Sequence, residues 1–202
     1  MSIWLGNDPL ILASQSRARQ MLLGNAGVPF EAIPADIDER AVQKDSGLSA
    51  PGEIAKLLAC EKALSVSQHK PGRYVVGADQ TLALRHRLFS KPAGRAAAAE
   101  QLRLLAGQRH ELHAAFAVAR DGKILSADVS VAKMTMRSLS ESQIEAYLTQ
   151  AGEAVTTSVG AYQLEGLGVH LFERIEGDHF TILGLPLLPL LAFLRSEGLL
   201  NV

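Results

Sequence analysis

Short apolar runs alternate with helix-like segments along most of the chain. The runs at 10–13 and 73–79 predict buried strands, and residues 30–34 are predicted to be extended. Capping residues and helix-favouring composition predict five helices, at 17–26, 51–67, 94–106, 140–150 and 187–197. Such alternation is typical of an α/β protein.

Antiparallel pairing is predicted in the middle of the chain. Residues 82–89 have the pattern of a short hairpin, and Asp121-Gly122 strongly favours a type I′ turn between two longer strands. The strands predicted in the second half of the chain lie at about 110–119, 123–136, 161–165 and 168–176. The sequence therefore predicts one domain over residues 1–202, with a mixed central sheet and helices on both of its faces.

The charge balance narrows the range of partners. Lysine and arginine total 20 against 21 aspartate and glutamate, which leaves a formal net charge of −1 at pH 7. Broad binding to nucleic acid normally requires a basic excess, so nucleic acid is not an expected partner. A small anion remains a candidate ligand, because a local cluster of a few cations is enough to bind it.

Cysteine content and hydropathy predict a cytoplasmic protein. Cys60 is the only cysteine, which excludes an intrachain disulfide and fits a reducing compartment. The first nine residues have no basic region and no long apolar stretch, so no secretory signal is expected. The most apolar segment, 182–194, is too short to cross a bilayer and contains Pro186 and Pro189. It is predicted to be a buried strand end followed by a packed helix, and no membrane partner is expected.

The first candidate site is the junction of the first strand and the first helix, Ser14-Gln15-Ser16-Arg17-Ala18-Arg19. Backbone N–H groups at a helix start lack intrahelical acceptors, and the helix dipole makes the potential there positive. Arg19 adds a full positive charge, and the combination suits phosphate oxygens. The alternative is an ordinary serine cap beside a solvated arginine, which the spacing alone favours.

Asp79 and Lys91 are candidates for the chemistry of such an anion. Asp79 is predicted at the end of an apolar strand, where a carboxylate can hold Mg²⁺ or orient a water molecule. The alternative is a turn aspartate bonded to its own backbone. Lys91 precedes Pro92, whose restricted geometry could aim the lysine at the same sheet edge. The alternative for Lys91 is an ordinary surface lysine.

Further candidates are an acidic segment and one lysine. Asp36, Asp38 and Glu39 are predicted to form an acidic loop, whose oxygens are ligands that divalent cations prefer. A solvated acidic loop is the alternative. Lys62 belongs to the predicted helix 51–67, and the periodicity does not decide whether it faces the sheet or water.

Taken in order, these segments resemble the Maf family of nucleotide pyrophosphatases over nearly the whole chain. The matching residues are Leu12 to Arg19, Asp38-Glu39, Glu61-Lys62-Ala63, Gly77-Ala78-Asp79-Gln80, Lys91-Pro92, Leu105 to His110, Gly160 to Gly166 and Leu183-Gly184-Leu185-Pro186. Each segment is short, but so many in register make coincidence an inadequate explanation.

The resemblance implies both a fold and a reaction. The fold would be like that of the inosine-triphosphate pyrophosphatases, with two lobes around a cleft. The reaction would cut a nucleoside triphosphate into a monophosphate and pyrophosphate, with Asp79 as proton acceptor. The resemblance implies nucleotide or metal contacts at Ser14, Arg19, Glu39, Lys62 and Lys91. Glu39 and Asp79 would hold Mg²⁺ or Mn²⁺.

Three positions bear on the choice of nucleotide. Ala18, Gln80 and Glu165 differ from the residues usual in the family's dTTP/UTP branch and are similar to the 7-methyl-GTP branch. A carboxylate such as Glu165 would complement the positive charge of an N7-methylated purine. Ala18 in place of an arginine would remove repulsion and open space for the base. The functional alternatives are a dTTP/UTP pyrophosphatase and a nucleotide-binding regulator of cell division without turnover. The sequence does not decide whether the protein forms a homodimer.

Overall fold

The computed structural model describes residues 3–202. Met1 and Ser2, which belong to the nine residues where no secretory signal is expected, lie outside the described residues. The strands are β1 (Leu10–Leu12), β2 (Phe30–Ala32), β3 (Val75–Leu84), β4 (Arg87–Phe89), β5 (Arg109–Arg120), β6 (Lys123–Met136) and β7 (Phe172–Glu176). The α-helices are α1 (Arg17–Asn25), α2 (Glu39–Ser46), α3 (Pro51–Ser67), α4 (Arg95–Leu105), α5 (Glu141–Ala151), α6 (His179–Ile182) and α7 (Leu187–Ser196). All five predicted helices are present, with end points within one or two residues of those expected.

The strands form a mixed sheet, as predicted. Their order is β2-β1-β3-β5-β6-β7, and β4 pairs with β3. β1 is parallel to both β2 and β3, whereas β3–β4 and β6–β7 are antiparallel. Asp121 and Gly122 both have positive φ angles, of 51° and 72°, which confirms the turn predicted between β5 and β6.

The chain divides into two compact units. Of the described residues, the first unit comprises 3–80, 114–130 and 179–202, and the second comprises 81–113 and 131–178. In the first unit, alternate residues of β5 face opposite sides of the sheet. Phe116 and Val118 pack in a cluster with residues of α1 and α7, and the small residues Ala115, Ala117 and Ala119 pack against α3. The first unit therefore has helices on both faces of its sheet.

Small residues bring α3 very close to β3. Ala55, Ala59 and Ala63 recur every four residues and lie on one buried stripe of the helix. Opposite them is Gly77, where an added Cβ would lie 2.1 Å from the carbonyl oxygen of Ala59. Only glycine leaves room for this contact, so the packing fixes the position of α3 along the strand.

The second unit encloses a buried aromatic cluster. His110 is fully buried, and its Nε2 lies 2.7 Å from the hydroxyl oxygen of Tyr162. The rings of Tyr162 and Phe172 meet edge to face, with centroids 4.7 Å apart. Burial lowers the pKa of His110 to about 4, so its imidazole is neutral at physiological pH.

Several predicted elements were wrong. β3 does not end at Asp79 but continues to Leu84, because its second half pairs with β4. Residues 161–165 are not a strand, and 167–171 form a 3-10 helix, so only 172–176 are extended. The expected strand end at Ile182 is instead the end of α6.

The prediction of an acidic loop over Asp36, Asp38 and Glu39 was also wrong in part, because a helix begins directly after Asp38. The Asp38 side chain caps α2 by accepting hydrogen bonds from the N–H groups of Arg40 and Ala41, at 3.1 Å each, and Glu39 begins the helix. Over residues 3–202, none of the helices has the length and hydrophobicity needed to cross a membrane.

Candidate active site

Asp79 lies inside β3, just beyond its parallel pairing with β1, which reaches Val76. The side chain is 11% exposed although it carries a carboxylate. Successive residues of a strand face opposite sides, so Asp79 is on the same face as Gly77, the face that α3 covers. The close approach of α3 at Gly77 therefore also determines what surrounds this carboxylate.

Lys62 of α3 binds this carboxylate. Its Nζ donates to Oδ1 of Asp79 at 2.6 Å and lies 2.8 Å from Oε1 of Glu39. Glu39, in the first turn of α2, is 52% exposed, whereas the side chain of Lys62 is 11% exposed. Three separate elements thus bring two carboxylates to a single ammonium group.

Burial determines the protonation of Asp79. Loss of hydration raises the pKa of its carboxyl, while the positive charges of Lys62 and Arg19 lower it and Glu39 raises it again. The net result is a pKa above the 3.8 of an unperturbed aspartate. A carboxylate whose proton affinity is increased is better suited to accept a proton from water.

Arg19 crosses from α1 to the same strand. Its Nη1 donates to the carbonyl oxygen of Ala78 at 2.8 Å and to Oγ of Ser14 at 3.1 Å, and its Nε donates to the carbonyl oxygen of Gly184 at 2.8 Å. Burial lowers the pKa of its guanidinium, against the attraction of Asp79 and Glu39, and a guanidinium still remains charged. Arg19 is thus a rigidly held cation beside Asp79.

The start of α1 is arranged by two serines. The Ser16 side chain caps the helix by accepting from the N–H of Arg19 at 3.4 Å. Ser14, which is buried, accepts from the N–H of Ser16 at 3.2 Å as well as from Arg19. The serine cap considered from the sequence is therefore present, but the arginine beside it is not solvated.

Gln80 faces the opposite side of β3 from Asp79. Its Nε2 donates to the carbonyl oxygens of Thr181 and Ile182, at 2.9 and 3.0 Å, at the end of α6. In the turn that follows α6, Gly184 has a φ of +88° and accepts the hydrogen bond from Arg19. This turn was not among the predicted site residues, although Leu183-Gly184-Leu185-Pro186 is one of the matching segments.

The remaining candidates have other surroundings. Ala18 is half-buried and packs against the cluster shared by α1, α7 and the sheet. Lys91 and Glu165 belong to the second unit, where both are exposed. Lys91 follows β4, and Glu165 lies in a turn closed by a hydrogen bond from the N–H of Gly166 to the carbonyl oxygen of Gln163, 3.2 Å long.

The first unit therefore brings together Ser14, Arg19, Glu39, Lys62 and Asp79. This cluster contains two cations and two carboxylates, so its formal charge is close to zero. The carboxylates offer hard oxygen ligands and a proton acceptor, and the cations can bind an anion. Such a combination suits the hydrolysis of a phosphate compound assisted by a divalent cation.

Comparisons with known proteins find a matching family and several similar chains. The Maf-like protein family model matches residues 9–197. The chain is 69% identical, over the full length of both proteins, to a nucleoside triphosphate pyrophosphatase of Rhodopseudomonas palustris. It is 51% identical to a 7-methyl-GTP pyrophosphatase of Brucella abortus, covering 93% of this chain and 96% of that one. It is also similar, at 15% identity and a TM-score of 0.43, to a dITP/XTP pyrophosphatase structure from Mycobacterium abscessus, covering 95% of this chain and 96% of that chain.

Proposed function

This chain belongs to the Maf-like protein family, and from that premise we propose that it hydrolyses a nucleoside triphosphate to the monophosphate and pyrophosphate. It is a hydrolase of the nucleoside triphosphate pyrophosphatase type, as its relatives are named. The observation that carries the proposal is the buried carboxylate of Asp79, which is bonded to Lys62 and is also under the charge of Arg19. The expected partner of the protein is its nucleotide substrate. The proposed location is the cytoplasm, where nucleotides are available.

A divalent cation, Mg²⁺ or Mn²⁺, is part of the proposal. Glu39 and Asp79 already share one cation, the Lys62 ammonium, so their oxygens fit around a single positive charge. In residues 3–202 no group of three or more histidine, cysteine or acidic residues could hold a metal ion. Mg²⁺ is often bound by one or two carboxylates together with water and substrate phosphates, and this donor set suits that mode.

Charge neutralisation supports the same conclusion. A nucleoside triphosphate carries about four negative charges, and the positive charges of Arg19 and Lys62 are already balanced by Asp79 and Glu39. A bound divalent cation would supply the missing charge and lower the pKa of an attacking water. Ser14, Arg19, Lys62 and Lys91 would contact the phosphates.

Asp79 is the proposed base. Its carboxylate orients a water molecule and takes its proton as the water oxygen bonds to the α-phosphorus. The bond from the α-phosphorus to the bridging oxygen breaks, and pyrophosphate leaves with that oxygen. Arg19 is held by three hydrogen bonds and does not reorganise as charge moves, which is how preorganised groups accelerate phosphoryl transfer.

Pyrophosphate release from a panel of nucleotides tests the function. We expect turnover that disappears with a chelator and returns with Mg²⁺ or Mn²⁺. Asp79→Asn should reduce kcat by about 10²–10⁴-fold, the usual contribution of a general base, without loss of the fold. Binding of nucleotide without pyrophosphate release would instead support the regulator, and near-normal turnover in Asp79→Asn would remove Asp79 from its role.

Base preference is the finer part of the proposal. We propose 7-methyl-GTP as substrate, with Glu165 complementing the charged base and Ala18 leaving it room. The relative of that name supports this choice. Gln80 would act indirectly, because its amide group binds the end of α6 at Thr181 and Ile182. A preference for dTTP and UTP is the alternative within the family.

Glu165→Gln tests this part. We expect the preference for 7-methyl-GTP over GTP, measured as a ratio of kcat/KM values, to fall by up to about fivefold, as for one exposed ion pair worth about 1 kcal/mol. Glu173→Gln, which removes an exposed charge from β7 of the same unit, is the matched control. An unchanged ratio in Glu165→Gln would show that Glu165 does not select the base.

A further inference from the structure

The Lys62 ammonium lies where two carboxylates converge. Its Nζ is 2.6 Å from Oδ1 of Asp79 and 2.8 Å from Oε1 of Glu39. The acids come from β3 and α2, which are far apart in sequence, and meet at this one cation. The lysine stem is carried by α3, whose contact with Gly77 keeps its backbone in place.

This position is the one that suits a divalent cation. Carboxylate oxygens from two separate elements converge there, and such oxygens are the ligands that divalent cations prefer. The Lys62 ammonium occupies the position that such a cation would take. A metal ion bound to the same two oxygens would lie close to the present Nζ position, where like charges repel strongly in partly buried surroundings. Metal and ammonium therefore cannot occupy the space between Glu39 and Asp79 together.

We propose that Lys62 is an internal competitor of the metal. In the free enzyme its ammonium holds the metal position, and a divalent cation binds Glu39 and Asp79 only when the Lys62 side chain swings away. The four rotatable bonds of lysine allow this movement while α3 stays fixed. The inference rests on the proposed function in one respect, since substrate phosphates are the anion that receives the displaced ammonium.

Competition between Lys62 and the metal makes metal binding depend on whether nucleotide is bound. Without nucleotide the ammonium has no other anion to bind, so it opposes metal binding. With nucleotide the phosphates bind Lys62, and the two carboxylates become available to the metal. Binding of metal and of triphosphate is therefore mutually reinforcing through Lys62, beyond the direct attraction between them.

Mn²⁺ affinity without nucleotide tests the competition. Isothermal titration of the whole protein is carried out at the same pH, 8.5, for every variant. We expect Lys62→Gln to bind Mn²⁺ about tenfold more tightly than the wild type, within the range usual for coupled sites. Lys56→Gln removes a positive charge from the same helix and should stay within about twofold of the wild type. Equal or weaker Mn²⁺ binding by Lys62→Gln overturns the proposal.

The wild type offers a second test that needs no substitution. The ammonium resonance of Lys62 in a ¹⁵N-detected lysine spectrum should shift or broaden as Mg²⁺ is added, because its ion pairs break. A resonance that is unchanged at saturating Mg²⁺ contradicts the exchange. Neither test measures turnover. The proposed function is tested separately, by pyrophosphate release from the wild type, so the two proposals can fail independently.

Discussion

At the scale of single residues, Asp79 combines function with instability. Burial raises the pKa of its carboxyl above 3.8, so the folded protein binds a proton there more tightly than the unfolded chain does. Between the unfolded and folded pKa values the native state holds more protons, and its stability falls as pH rises through that window. Above the folded pKa the destabilisation is complete.

Asp79→Asn should therefore change stability in a pH-dependent way. In metal-free buffer we expect the free energy of unfolding of the variant, relative to the wild type, to increase as pH rises from about 4 towards neutrality. Urea unfolding at a series of pH values measures this difference. Asp128→Asn removes an exposed carboxyl of β6 and should give a nearly flat profile. A difference for Asp79→Asn that shrinks with rising pH would contradict burial of the carboxyl as the cause.

The start of α1 was easier to predict from sequence than the orientation of a residue inside α3. The Ser16 cap depends only on residues nearby in sequence, although the similar cap at Asp38 was missed because its acidic segment was predicted to be a loop. The direction of Lys62 depends on how closely α3 packs on β3, which a one-dimensional pattern does not contain. The sequence therefore identified Lys62 as a candidate and left its orientation open.

At the scale of elements, the contact between α3 and β3 supports the site. An added Cβ at Gly77 would lie 2.1 Å from the carbonyl oxygen of Ala59 and 2.7 Å from the backbone nitrogen of Ala63. These are main-chain atoms that cannot rotate away, so the whole helix has to move. Lys62, one residue before Ala63, moves with it and leaves Asp79.

Gly77→Ala should consequently lose both stability and activity. We expect destabilisation of about 1–3 kcal/mol or more, as in an overpacked core, and a fall in kcat even where the protein is still folded. Urea unfolding and pyrophosphate release measure the two effects. Gly24→Ala in α1, where a Cβ meets no atom within 4 Å, is the control and should be neutral or slightly stabilising. Normal stability and turnover in Gly77→Ala would refute the role of this contact.

Element boundaries failed where tertiary pairing overrides local sequence. Gly77-Ala78-Asp79 has the composition of a strand end, yet pairing of Leu82 with Phe89 keeps β3 extended to Leu84. Residues 161–171 contain apolar residues at strand-like density, but Gly166 and Gly168 allow turns and a 3-10 helix there. Only the final stretch, 172–176, pairs with β6 as a strand.

At the scale of the whole molecule, charge is local rather than global. The net charge of −1 gives the protein no general attraction for polyanions. Arg19 and Lys62 nevertheless place two cations inside the first unit, beside the carboxylates of Asp79 and Glu39. The cations that matter at the site are few and held by specific partners, so they could not be recognised from the overall charge.

The two compact units raise the question of whether the chain unfolds as one domain. β3, β5 and β6 each have residues in both units. Unfolding of either unit would therefore break three strands that continue into the other. We expect a single cooperative transition, in agreement with the single domain predicted from sequence. Trp4, the only tryptophan, belongs to the first unit and packs on its core, so its fluorescence reports on that unit.

Leu148→Ala tests this coupling from the second unit. Leu148 is fully buried in α5, and its truncation should lower the free energy of unfolding by about 2–5 kcal/mol. If the chain is one cooperative domain, the urea midpoint read from Trp4 fluorescence moves as far as the midpoint read from circular dichroism. Leu167→Ala, at a position 42% exposed in the same unit, should move neither. Because Trp4 and Leu148 lie in different units, an unmoved Trp4 midpoint would mean that the units unfold independently and that the sequence describes two domains.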